Sequence, residues 1–199
     1  MAELIDIYTE DGIKTGAMPK KEYYSIKGNN IPWINCATCF VIDEKTKKIL
    51  FEKRGNRFLD PGKLDLCSGH IKSGELPFQG MIRELKEELS IPEEISSSIK
   101  QLGSMKVDYT SLKDETNRKN LKCFVSIYAL KMRDTSMIKI DNKEAINIGW
   151  LNIEDTIGFI QNSMTRMPYE ENLEKQYSEI FDNLKLFIYS KEKNNERIK

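Results

Sequence analysis

Three glutamates within five residues, Glu84, Glu87 and Glu88 in the run Arg83-Glu84-Leu85-Lys86-Glu87-Glu88, are the side chains best placed to do chemistry in this 199-residue chain. A glycine-bearing turn that contains Glu75 precedes them. Phe78, Met81, Ile82, Leu85 and Leu89 fall on one narrow arc at about 100° per residue, the pattern of a helix with one face toward a core. Glu84 and Glu88 sit together just beside that arc, with Glu87 a little further round. Like charges four apart on a helix repel by roughly 0.2–0.5 kcal/mol per pair, and more where solvation is partial. A bound cation would remove that cost. Carboxylates with no His or Cys alongside suit hard divalent ions, which points to Mg²⁺ or Mn²⁺ rather than zinc. Taken alone, the hexamer also fits a solvated helix face whose Arg83 and Lys86 offset the glutamates.

The spacing around the hexamer narrows the choice. Gly69, five residues, Glu75, seven residues, Arg83-Glu84-Leu85, one residue, Glu87-Glu88, one residue, Ser90-Ile91 resembles the signature box of the Nudix hydrolase superfamily at eight of its nine defining positions. The departure is Ser90, where the family has a glycine that ends the helix in a left-handed conformation less accessible to serine. The resemblance implies an α/β fold, an α/β/α sandwich with a mixed central sheet, in which the box is loop, helix, loop. It also implies Mg²⁺- or Mn²⁺-dependent cleavage of a diphosphate linked to another group X. By position, Glu84, Glu87 and Glu88, with Gly69, become the metal site, and Glu87 a ligand or the base acting on the attacking water. Glu75 and Arg83 become the structural pair that holds loop to helix.

Other candidates lie outside the box. Glu144 stands six residues before Trp150, where many Nudix enzymes carry a further catalytic glutamate, although an exposed loop acid fits as well. Arg54, at the end of the strand pattern Lys48–Arg54, is the first candidate for a phosphate contact, because arginine grips phosphate oxygens bidentately. Arg57 is a second. His70, the single histidine, either shapes the substrate pocket or caps its loop.

The elements that must position these residues follow from the remaining pattern. Residues 1–32 read as a β-hairpin appendage, Leu4–Tyr8 and a partner strand around a turn at Glu10-Asp11-Gly12. This hairpin resembles the superfamily branch that contains isopentenyl-diphosphate isomerase. That enzyme relies on several histidines and a cysteine directly before the glycine; here one histidine is present and Ser68 takes the cysteine's place, so hydrolysis is favoured. An isomerase-like enzyme and a noncatalytic ligand-binding regulator remain as alternatives. Residues 33–165 read as the core, with strands at Trp33–Ile42, Lys48–Arg54, Leu102–Tyr109 and Leu121–Leu130, and short helices at Pro92–Lys100 and Ile153–Ile160. Residues 166–199 read as a long C-terminal helix and tail, whose apolar stripe packs on the sheet or forms a homodimer seam. One domain is expected overall.

Composition bounds the partners. With 31 basic and 31 acidic side chains, the chain lacks the basic excess of broad nucleic-acid binding, and the resemblance implies a small-molecule diphosphate as the partner. No apolar run approaches bilayer-spanning length and the start lacks a basic-then-apolar signal, so a cytoplasmic protein away from the membrane is expected. Cys36 and Cys39 form a CxxC, but residues three apart on a strand face opposite sides, so buried structural thiols are expected rather than a shared metal.

Overall fold

A computed structural model of the chain describes residues 2–28, 30–55, 62–111, 121–140, 145–164 and 171–190. Arg57, Glu144, most of the polar loop 110–120 and the charged C-terminal tail lie outside the described residues.

Alternation of apolar side chains along the central strand sets the architecture. In β3 (Ile34–Asp43), Ile34, Phe40 and Ile42 join one hydrophobic cluster, while Ala37, Cys39 and Val41 join another on the opposite face. A strand buried on both faces needs a layer over each. The box helix α2 (Pro77–Leu89) covers one face with Met81, Leu85 and Leu89. The C-terminal helix α4 (Glu171–Tyr189) covers the other with Ile180, Phe181, Leu184 and Ile188, beside α3 (Ile153–Met164). The result is the expected α/β/α sandwich. Cys36 packs with the α4 side and Cys39 is buried on the α2 side, so the CxxC is split across the sheet as its spacing required.

The sheet is mixed. β3 runs parallel to β8 (Lys122–Met132), and the other pairings are antiparallel: β8 with β7 (Ile99–Asp108), and β4 (Ile49–Arg54) with β5 (Leu64–Asp65) and β9 (Ala145–Leu151). β3 and β4 share a single register pair, Ile42↔Ile49, and then separate. Into that split comes β6 (Cys67–His70), which pairs with Cys36–Cys39 of β3. The strand leading into the box is thus wedged where two neighbouring strands part.

The N-terminal segment departs from a simple extension of this sheet. β1 (Leu4–Tyr8) and β2 (Lys14–Pro19) form their own two-stranded sheet, tied to the body by isolated bridges Ile5↔Lys72 and Tyr8↔Trp33. After a single turn of helix, α1 (Lys20–Tyr23), the Tyr23 ring is fully buried and its hydroxyl donates to the Pro32 carbonyl at 3.1 Å. Residues 93–98 form a 3₁₀ turn rather than an α-helix. Phe78, expected on the core arc, is 39% exposed and touches the Tyr128 ring at its margin. Among the described residues no helix is long and apolar enough to cross a membrane.

Ser90 keeps the turn that glycine would make. It ends α2 at φ 57° and ψ 24°, with its N–H on the Lys86 carbonyl and its hydroxyl donating to the Lys139 carbonyl at 3.1 Å. A left-handed non-glycine residue costs roughly 1–2 kcal/mol, and a hydrogen bond returns about 0.5–1.5 kcal/mol. Ser90→Gly is therefore expected to unfold in denaturant within about 1 kcal/mol of the parent. Ser90→Val, β-branched and without the hydroxyl, is expected to lose about 1–3 kcal/mol.

Candidate active site

The site forms where β6 and the loop after it meet the buried side of α2. Pro77 sets the first turn of the helix, where its missing N–H costs nothing. Four-residue spacing then places Glu84 and Glu88 on the sheet-facing side. They are more deeply buried than an arc-edge position suggests, at 9% and 4% exposure. Two close approaches explain how. Gly69 lies directly under Glu84, so that a Cβ there would overlap the carboxylate. The Ser68 N–H donates to Glu88 Oε2 at 3.3 Å. A small backbone is the reason two acids fit between helix and strand.

Arg83 braces the loop. Its Nε and Nη2 donate to the two oxygens of Glu75 at 2.9 and 3.0 Å, and Nη2 also donates to the His70 carbonyl at 2.9 Å. Nη1 donates to Glu84 at 2.7 Å and to Glu87 at 3.1 Å. Glu75 further accepts the Lys72 N–H at 3.0 Å. One guanidinium thereby holds both ends of the loop 70–75 and two helix acids, the geometry of the predicted structural pair. Hydrogen bonds from Arg83 outweigh burial and hold the Glu75 carboxyl below its ordinary 4.5. For Glu84 the balance reverses, since burial raises its pKa despite Arg83. Glu87 is half exposed and also pairs with Lys72 at 3.4 Å.

Sequence reasoning missed Glu52. It sits on β4 at 5% exposure, and one of its carboxylate oxygens, the Cys67 sulfur and an oxygen of Glu88 all lie within 4.8 Å of one another. Glu84 and Glu87 stand outside that trio. The only sequence signal for Glu52 is an acid at an inward position of an otherwise apolar strand, Ile-Leu-Phe-Glu. Its proximity to Cys67 follows from β6 entering the split beside β4, which no local pattern encodes.

These donors fit a hard divalent ion. They are carboxylates, buried, and crowded by a glycine cradle. Cys67 is a poor competitor, because hard divalent ions take oxygen donors and soft sulfur suits other metals. Burial and then the charges of Glu88 and Glu52 push its thiol well above the ordinary range.

The remaining candidates are dispersed. Arg54 pairs through Nη1 with Asp65 at 2.7 Å, across the β4–β5 ladder. The His70 Nε2 meets the Tyr24 hydroxyl at 2.6 Å, on the strand face opposite Cys67 and Gly69. Arg57 and Glu144 lie outside the described residues.

A family model for the NUDIX domain matches residues 33–171. The chain belongs to the Nudix family. No curated relative matches it by sequence. Among solved structures similar in fold, DR0079 from Deinococcus radiodurans is 19% identical with a TM-score of 0.62, over 88% of this chain and 98% of that one. A MutT protein from Methanosarcina mazei Go1 is 18% identical with a TM-score of 0.55, over 82% and 100%. The NUDIX domain of Shewanella oneidensis NrtR, solved with ADP ribose, is 17% identical with a TM-score of 0.51, over 84% and 99%. At these identities the likeness is one of fold. The match covers the Nudix box, and the isomerase branch is not singled out by it.

The Glu75–Arg83 brace gives a pH dependence. Because the folded state depresses the Glu75 pKa, its contribution is fully present above 4.5 and is lost as pH falls through the folded value. Glu75→Gln is expected to lower unfolding stability at pH 7 by about 1–3 kcal/mol. That difference should shrink as pH falls below 4.5, which denaturant titrations of both proteins at pH 7 and at a series of lower pH values would measure.

Proposed function

We propose that this Nudix protein is a divalent-metal-dependent hydrolase that cleaves a diphosphate linkage in a nucleoside di- or triphosphate or another X-linked diphosphate. The observation that carries the reading is the burial of Glu84 and Glu88 between α2 and the Gly69 strand, with Glu52 a third acid beside Glu88. A solvated helix face, the competing reading of the hexamer, would leave these acids in water. Acids buried at this density call for compensating positive charge.

In this reading Glu84 and Glu88, with Gly69 and Glu87, hold Mg²⁺ or Mn²⁺. When bound, the ion supplies neutralisation of phosphoryl charge and a more acidic water. The protein's own groups do the rest. Arg83 orients Glu84 and Glu87 from one side, and Glu75 fixes Arg83. Glu87, half exposed at the helix edge, is open to water and serves as ligand or as the base that takes its proton. Glu144 is the alternative base. Arg54 and Arg57 contact substrate phosphate, with the Arg54–Asp65 pair holding the side chain in a fixed direction until then. His70, held by Tyr24 on the β6 face opposite Gly69, caps its loop.

The neighbours suggest which substrates to test. One was solved with ADP ribose, and the Nudix-fold chain of a bifunctional Francisella tularensis protein, 19% identical with a TM-score of 0.51 over 84% of this chain and 45% of that one, with AMP and a manganese ion. Nucleoside di- and triphosphates, nucleotide sugars, dinucleotides, ADP ribose and isopentenyl diphosphate form the panel. Metal-dependent product release from any member, abolished by chelator, is the expected result. Binding of a member without turnover would favour the regulator, and rearrangement of isopentenyl diphosphate the isomerase.

Glu84→Gln and Glu88→Gln are each expected to lower turnover by more than about 100-fold with little loss of folding, because each removes buried negative charge. Full activity of both with Mg²⁺ would overturn the metal assignment. Arg54→Ala should raise KM more than it lowers kcat, and an unchanged KM would return Arg54 to a purely structural pair with Asp65. Glu144→Gln with undiminished turnover would leave Glu87 as the base.

A further inference from the structure

The N-terminal hairpin does more than cover the core. Asp6, on β1 at 8% exposure, reaches the box loop 67 residues away: the Ser73 hydroxyl donates to its Oδ1 at 2.6 Å and the Gly74 N–H to its Oδ2 at 3.4 Å. Lys14 on β2 donates to the same Oδ2 at 2.7 Å. The backbone adds a second hold, with the Ser73 N–H on the Leu4 carbonyl at 2.8 Å and a bridge from Ile5 to Lys72. At the other end of the loop, Tyr24 meets His70. Burial alone would raise the Asp6 pKa, but its hydrogen bonds to Lys14 and Ser73 bring it below the ordinary value, so it is a full acceptor at neutral pH.

What lies between these holds is the Arg83 brace. The loop 70–75 carries the His70 carbonyl and the Glu75 carboxylate, which fix Arg83, and Lys72, which touches both Glu75 and Glu87. Ser73 and Gly74 are exposed, and Gly74 is in the left-handed region at φ 86°. A short segment of this kind has little packing of its own to hold one conformation, so its position depends on the groups that tether it. We infer that Asp6 is a positioning residue for the metal site: through Ser73 and Gly74 it sets the loop that aims Glu75, Arg83 and thereby Glu84. The inference rests on the metal-dependent reading above.

Groups that orient metal ligands typically change affinity 10–100-fold when removed. Mn²⁺ titration of the full chain, read by the loss of the free-ion EPR signal, is the test. Asp6→Ala and Ser73→Ala are each expected to weaken Mn²⁺ binding by about 10-fold or more. The double variant should be no weaker than Asp6→Ala, because that variant already removes the Ser73 hydroxyl's bond. Lys14→Ala, which removes an exposed partner but leaves both bonds to the loop, should bind like the parent. Far-ultraviolet circular dichroism accompanies each titration. If Asp6→Ala does not fold, Ser73→Ala, which deletes a single exposed hydroxyl, carries the test alone. Parent-like binding by Ser73→Ala, with Glu84→Gln still losing the ion, would overturn the positioning role and leave the hydrolase standing. Absence of Mn²⁺ binding by the parent would overturn both.

Discussion

The rest of the site depends on where a single guanidinium sits. Arg83 projects from the middle of α2, and its planar fork reaches Glu75, the His70 carbonyl, Glu84 and Glu87 at hydrogen-bonding distance. Such a group is always charged and tolerates little misdirection, since its donors are fixed in one plane. Burial works against the charge, but Glu75 and Glu84 more than compensate, so that its pKa rises further. The loop cannot shift without losing bonds at both of its ends. A lysine would supply the charge as a point and could not hold four acceptors in this arrangement.

A second constraint comes from the sheet. β3 and β4 pair at one position and then diverge. β6 fills the opening along β3, while β5 and β9 flank β4. This brings Glu52 from β4 and Cys67 from β6 to the underside of α2, where Glu88 meets them. It also turns successive residues of β6 to opposite faces, Cys67 and Gly69 toward the acids and His70 toward Tyr24. The same strand therefore provides the cradle on one side and an anchor for the N-terminal segment on the other.

Legibility in the sequence follows the range of the interaction. Residues 69–91 could be read because their contacts repeat at loop and helix spacings: Glu75 with Arg83, Arg83 with Glu87, the stripe Met81, Leu85, Leu89. The two-faced β3 was readable for the same reason, and its alternation separated Cys36 from Cys39 correctly. Phe78 misled because it shares the helical arc yet lies in the first turn of α2, 39% exposed against the Tyr128 ring. Glu52 and Asp6 were not readable. Their roles come from partners 15 and 67 residues away in sequence, Cys67 and Ser73, brought near by a strand split and by a hairpin folding back. The turn at Ser90 lay between these cases: its left-handed geometry followed from the motif, but the Lys139 carbonyl that its hydroxyl meets arrives from a distant loop.

The distribution of charge gives the metal-dependent reading its physical weight. Arg83 bonds to Glu75, Glu84 and Glu87, and Lys72 adds a second contact to Glu87. Glu52 and Glu88 converge on the Cys67 thiol, whose pKa burial and then their own charges raise. Burying several acids at one place is poorly suited to stability alone, because apolar side chains of similar volume would pack there without a solvation cost. Retaining it makes sense where the folded state is completed by a small, hard, doubly charged ion. The cost of burying the acids then becomes the source of the ion's affinity, and the loop that fixes their geometry becomes as consequential for binding as the acids themselves.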